Sequence, residues 1–134
     1  MTQEELMIGD LVSYKNKMPC KITAMCKDVA VVDNDTGQDW RIDYDKLTPI
    51  PLTAEILKKN GFIIKEKWAQ IGNFGDSPLI MWHFADDPIL RDYKTELEVH
   101  QNDTGKVHIH VPCEYVHELQ HVLRLCNIDK EIEL

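Results

Sequence analysis

A chain of 134 residues suits one domain or two very small ones and can bury roughly two-thirds of its unfolded surface, enough for a true core. Hydrophobic and charged fractions of 43% and 28% are those of an ordinary globular protein. No apolar run approaches the roughly 18–20 residues of a membrane span, which argues against a membrane protein, and a net charge of −8 repels phosphate backbones and disfavours general nucleic-acid binding.

Residues 1–5 are polar and acidic, without the basic-then-apolar order of a secretory signal, so a cytoplasmic protein is expected. Cys20, Cys26, Cys113 and Cys126 show no CxxC spacing and read as buried free thiols. Taken in order, Leu6-Met7-Ile8-Gly9-Asp10-Leu11-Val12-Ser13-Tyr14 sets a Gly-Asp corner at the mouth of a strand, and Lys15-Asn16-Lys17 follows as turn chemistry. Residues 20–25, 29–32 and 40–42 are short β-rich runs. A hairpin loop at Asp35-Thr36-Gly37, with Gly37 left-handed, sets Val32 against Trp40 and Ala30 against Ile42. The run Asp33-Asn34-Asp35-Thr36-Gly37 fails as a calcium loop: its glycine comes one position early and Tyr44 stands where a bidentate Glu belongs. These strands predict a small, partly closed SH3-like β-barrel within a first domain of residues 1–50.

Pro49-Ile50-Pro51-Leu52 is a stiff connector that opens a second domain over residues 51–134. Thr53 is placed to N-cap a helix over 54–60, with Gly61 as its C-cap. Residues 62–70 and 79–84 read as strands, with Ile80, Trp82 and Phe84 on one face and His83 on the other; 71–76 read as a loop and 89–94 as a connection of no definite structure. The clearest hairpin runs from 96 to 111 about a turn at Asn102-Asp103-Thr104-Gly105, pairing His100 with His108 and Glu98 with His110. Residues 112–126 form a final helix closed by left-handed Asn127, with 130–134 as an edge strand or a free tail. The fold class is α+β: a barrel, then a helix, a four-stranded antiparallel sheet and a last helix, both helices on one sheet face.

That last helix carries His117-Glu118-Leu119-Gln120-His121, a literal HExxH. Imidazoles four apart share a helix face and can bind one Zn²⁺ while Glu118 acts as general base on the bound water. A helical wheel nevertheless gives the core to Val116, Leu119, Val122, Leu123 and Cys126, and turns His117 and His121 roughly 160° away as a solvated face. The longer HExxHxxGxxH pattern fails too, with Arg124 for Gly and Asn127 for the third His. His100, His108 and His110 are candidates for a surface metal or acid-sensing cluster, with plain cross-strand pairing as the simpler reading. Trp40, Trp68 and Trp82 read as core before ligand groove, and Cys113 lacks the partners of a nucleophile.

The segments Glu5-Leu6-Met7-Ile8-Gly9-Asp10-Leu11-Val12, Leu47-Thr48-Pro49-Ile50-Pro51-Leu52-Thr53-Ala54-Glu55-Ile56-Leu57 and Tyr115-Val116-His117-Glu118-Leu119-Gln120-His121 through Leu123-Arg124-Leu125-Cys126 resemble a family of uncharacterised bacterial proteins of gut anaerobes and their mobile elements. The resemblance implies relatives and transfers no activity or site. The expected function is a non-enzymatic binding or interaction protein, an adaptor with a protein partner or self-association and no cofactor. The alternatives are a zinc hydrolase built on His117, His121 and Glu118, and nucleic-acid binding through Lys15, Lys17, Lys21 and Lys27.

Overall fold

The computed structural model describes residues 1–72, 78–83, 95–101 and 107–134. Its first sheet is organised by turn chemistry. Strands β1 (Leu11–Tyr14) and β2 (Met18–Met25) are joined through Lys15 (φ 52°) and Asn16 (φ 58°), both left-handed as a type I′ turn requires. Strands β3 (Val29–Asp33) and β4 (Asp39–Asp43) pair with Val32 opposite Trp40 and Ala30 opposite Ile42, the expected register, and Gly37 is left-handed at φ 74°. The turn's own oxygens serve it: Asp33 Oδ1 accepts from Asp35 N at 3.0 Å and Asn34 Oδ1 from Thr36 Oγ1 at 2.7 Å. A one-turn 3₁₀ helix, Tyr44–Lys46, leads into β5 (Leu47–Thr48), which returns to pair with β1.

The sheet order is β4-β3-β2-β1-β5, antiparallel throughout, with an irregularity in β2 between Ile22 and Ala24. Among the described residues no pairing joins β4 to β5, so the sheet is open where sequence reasoning expected partial closure. Val12, Cys20, Ile22, Ala30, Val32, Ile42 and Leu47 form its core with Leu6 and Tyr44.

By contact, Met1–Pro51 and Tyr115–Leu125 form one compact unit, and Leu52–Glu114 with Cys126–Leu134 form the other. Sequence reasoning set the last helix on the second sheet; α2 (Val116–Leu125) groups instead with the first unit. Tyr115 bridges to Pro51, and Val116 N donates to Ile50 O at 2.9 Å. Pro112 is the last residue of a strand rather than the first of this helix, and Asn127 (φ 56°) follows the helix as expected.

In the second unit, α1 (Ala54–Lys59) begins at Thr53, whose side chain accepts from Ile56 N at 3.3 Å, and ends before left-handed Gly61. Among the described residues the sheet has five strands, where four were expected, in the order β10-β9-β8-β7-β6. The segment read as one strand over 62–70 is a tight hairpin, β6 (Ile63–Ile64) and β7 (Trp68–Ile71), closed by Lys65 N donating to Trp68 O at 2.7 Å. Strands β8 (Leu79–His83), β9 (Glu96–Gln101) and β10 (Val107–Pro112) complete it, with His100 opposite His108 and Glu98 opposite His110 as expected. Phe84, most of the loop read over 71–76, the connection over 89–94 and the turn at 102–105 lie outside the described residues. Ala69, Ile80, Trp82, Leu97 and Val99 share the buried sheet face. No helix among the described residues is long and apolar enough to cross a membrane.

The C-terminal residues form no strand. They are held by buried Asn60, whose Nδ2 donates to Ile56 O and Glu133 O, both at 2.7 Å, and whose Oδ1 accepts from Glu133 N at 2.8 Å. The amide thus imitates a strand partner for Glu133, and Ile132 beside it is buried. Asn60→Ala, which leaves these backbone groups unmatched, is expected to cost about 2–3 kcal/mol. Urea unfolding should show its midpoint lowered, with Lys58→Ala on the exposed face of α1 close to wild type.

Candidate functional site

The site around the HExxH motif is built from two pieces far apart in sequence. The first is the Gly9-Asp10 corner. Gly9 has φ 92°, its N–H donates to Ile22 O at 2.7 Å, and Ile22 N returns a bond to Asp10 O at 2.9 Å. A Cβ at Gly9 would stand 3.0 Å from Arg124 Nη2, so both backbone conformation and space favour glycine. This corner aims the Asp10 side chain inward, where it has no exposure to solvent.

The second piece is α2. Its Arg124 Nη1 donates to Asp10 Oδ1 at 2.8 Å, and His121 Nε2 lies 2.7 Å from Asp10 Oδ2, which also accepts from Met7 N at 2.8 Å. Gln120 grips the backbone on either side: its Oε1 accepts from Leu11 N at 2.8 Å and its Nε2 donates to Gly9 O at 3.0 Å. A carboxylate withdrawn from water is tolerated only with such partners. Glu118 is turned to the start of its own helix, where its Oε2 accepts from Tyr115 N at 3.1 Å, one half of a capping box.

His117 is buried at 6% exposure, stacked on Tyr115 with ring centroids 5.9 Å apart and edge-on to His121 at 5.6 Å. Its Nδ1 is buried without a hydrogen-bond partner. Burial pushes its pKa below the ordinary imidazole value, against smaller upward pulls from Glu118, Asp10 and Glu5 and a downward one from His121.

The solvated histidine face expected from the wheel is therefore not what forms. The buried residues of α2 are Val116, His117, Leu119, Gln120 and Leu123, while Val122 is only half-buried. The buried face is turned by roughly 60° from the apolar optimum on a wheel of about 100° per residue. The polar grip of Gln120, His121 and Arg124 on the corner fixes that rotation. Asp10, Gln120 and Arg124 were absent from the sequence-based candidates; the signals were a Gly-Asp corner before a strand and polar residues at i, i+1 and i+4 on one helix.

As a zinc site this arrangement does not fit. Two imidazoles and a water-facing carboxylate must converge on an open position, yet His121 is engaged by Asp10, Glu118 caps its helix, and a guanidinium stands on the same Asp10. Among the described residues no group of three or more His, Cys, Asp or Glu side chains is arranged to hold a metal ion.

The other candidates are dispersed. On the second sheet His83 Nε2 and His100 Nε2 lie 2.8 and 2.7 Å from the two oxygens of Glu98, with His110 Nε2 at 3.9 Å. Register alone adds His83 to the histidines named from the sequence; the side chain of His108 lies outside the description. Trp82 is buried and donates to Cys113 O at 2.8 Å, Trp68 is half-buried, and Trp40 is 41% exposed rather than in the core. Cys20, Cys113 and Cys126 are buried but Cys26 is exposed, and burial pushes the Cys20 thiol up to about 11 and Cys126 upward. Lys15 and Lys17 precede β2, Lys21 lies within it and Lys27 follows it, so the four are strung along an eight-residue strand roughly 25 Å long rather than clustered. Comparison with protein-family models, curated proteins and solved structures returns no match.

Two outcomes test this geometry. Asp10→Ala should destabilise the protein by about 1–3 kcal/mol, because it leaves the Met7 N–H, the His121 imidazole and the partly exposed Arg124 guanidinium without their shared acceptor, and in a double-mutant cycle with Arg124→Ala the losses should be clearly less than additive. The lowered pKa of His117 contributes stability that is whole above about pH 6.5 and is lost as pH falls through the folded value. His117→Phe should remove part of that acid loss in urea titrations run between pH 7.5 and 5.

Proposed function

We propose that this chain is a non-enzymatic interaction module in which the HExxH segment is a structural lock. The observation that carries the reading is the engagement of Asp10 by His121 and Arg124, with Glu118 spent on the helix start. Two of the three groups that hydrolysis would need free, His121 and Glu118, are bound to the fold itself, and the third, His117, is buried. What is left for function is surface.

The finer fold reading supports the same view. A strand order of β4-β3-β2-β1-β5, with a one-turn 3₁₀ helix between β4 and β5, supports an SH3-like reading of this open sheet, an architecture whose edges and loops dock peptides. A zinc hydrolase remains the competing reading, and nucleic-acid binding is weakened by the spread of Lys15, Lys17, Lys21 and Lys27.

Elemental analysis of tag-free protein purified without chelator decides between them, run with His117→Phe and Glu118→Gln. Metal-free wild type is expected, with both variants folded, since glutamine keeps an acceptor for the helix start. Near-stoichiometric zinc, lost in His117→Phe and kept in Glu118→Gln, would sink the proposal in favour of the hydrolase.

A further inference from the structure

Among the surfaces of the first unit, the outer side of β4 differs from the rest. It is the last strand of its sheet, and among the described residues no strand pairs with its outer side. Four of its five residues, Asp39, Trp40, Arg41 and Asp43, are exposed, and only Ile42 is buried. The opposite edge, β5, has only two residues, and its Thr48 hydroxyl faces β1, donating to Ser13 O at 3.1 Å and accepting from Asn16 N at 3.3 Å. An open strand edge is a template for another strand, and proteins normally blunt it with lysine, proline or a bulge. β4 has no lysine, proline or bulge, and the charges it does carry, Asp39 and Asp43 on either side of Arg41, are net acidic.

Trp40 stands on the core side of the sheet, opposite buried Val32, yet 41% of it is exposed. An indole at the rim of a core, beside an unpaired edge, offers an apolar shelf for an incoming side chain. Charge narrows the occupant. Asp28, Asp33, Asp35, Asp39, Asp43 and Asp45 crowd this hairpin and the turn after it, against Arg41 and Lys46, and Lys46 is already bound to Asp43 at 2.9 Å. A second copy pairing antiparallel about Arg41 would set Asp39 against Asp43 of its neighbour, a repulsive arrangement. Nucleic acid is repelled outright.

We propose that β4 docks an extended basic segment of a partner protein, which adds a strand to this edge with an apolar side chain on Trp40 and lysines or arginines against Asp39 and Asp43. This inference rests on the non-enzymatic reading above and supplies its partner class. Backbone hydrogen bonds give the complex its register and charge selects its partner.

The probe is a fluorescein-labelled peptide alternating Lys or Arg with Val over eight residues, followed by anisotropy. Saturable binding is expected that weakens with salt, falls at least tenfold with Trp40→Ala and with Asp39→Lys/Asp43→Lys, and is lost when alternate peptide nitrogens are methylated. Circular dichroism should show both variants folded, since these side chains are exposed. Equal binding of a Glu/Val peptide, indifference to the variants, or a protein dimer dissolved by Trp40→Ala would each overturn the proposal. Metal-free, folded protein that ignores the basic peptide removes this surface and leaves the non-catalytic reading standing; zinc content removes that reading whatever the peptide does.

Discussion

A single carboxylate, Asp10, with no exposure to solvent, sets the terms for the first unit. Burying it would be prohibitive alone, and its partners come from the neighbouring backbone at Met7 and from residues more than 100 positions away, His121 and Arg124. Net stability is not the main result of such a pair, since replacing buried ions with apolar groups is often neutral or better. Specificity is. A helix held only by Leu119, Val116 and Leu123 could rotate toward burial of Val122; one held through Gln120, His121 and Arg124 to a fixed corner cannot.

The same constraint shows what was legible in the sequence. The register of β3–β4 and that of β9–β10 followed from turn chemistry and strand alternation, because a short turn of defined length leaves one pairing open. The cap of α1 at Thr53 was readable for the same local reason. The orientation of α2 was not, because a wheel weighs apolar residues and assigns polar ones to water by default. Gln120 and His117 are buried by contacts that no local window contains. The split of 62–70 into two strands escaped for a different reason: Ile63 and Ile64, both exposed, form a two-residue strand that turns straight back on β7 without the Gly, Asn or Pro that marks most tight turns.

The HExxH pattern itself records only that two histidines and a glutamate share a helical neighbourhood. The i, i+4 spacing that lets imidazoles share a metal equally lets a histidine and its neighbours meet one buried acid, and a glutamate three residues from a helix start is also a good cap. Which use prevails depends on what faces the helix. Here the facing group is a carboxylate already matched by a guanidinium, a setting that satisfies charge without a cation.

A parallel device closes the second unit, where the Asn60 amide holds Glu133 across a separation of 73 residues and fixes a tail that has no strand partner. In each unit one buried polar side chain ties a late segment to an early one through backbone atoms, a contact that hydrophobic patterning cannot encode. Such ties consume the polar groups that sequence motifs advertise as chemistry. The groups left exposed are then the informative ones, and along the first sheet they lie on β4, where an indole at the rim of one face, the carboxylates of Asp39 and Asp43 on the other and a row of backbone groups flank one edge. An edge kept open in a strongly acidic hairpin is stable against self-association by its own charge, so openness toward a partner of opposite sign carries little risk of aggregation.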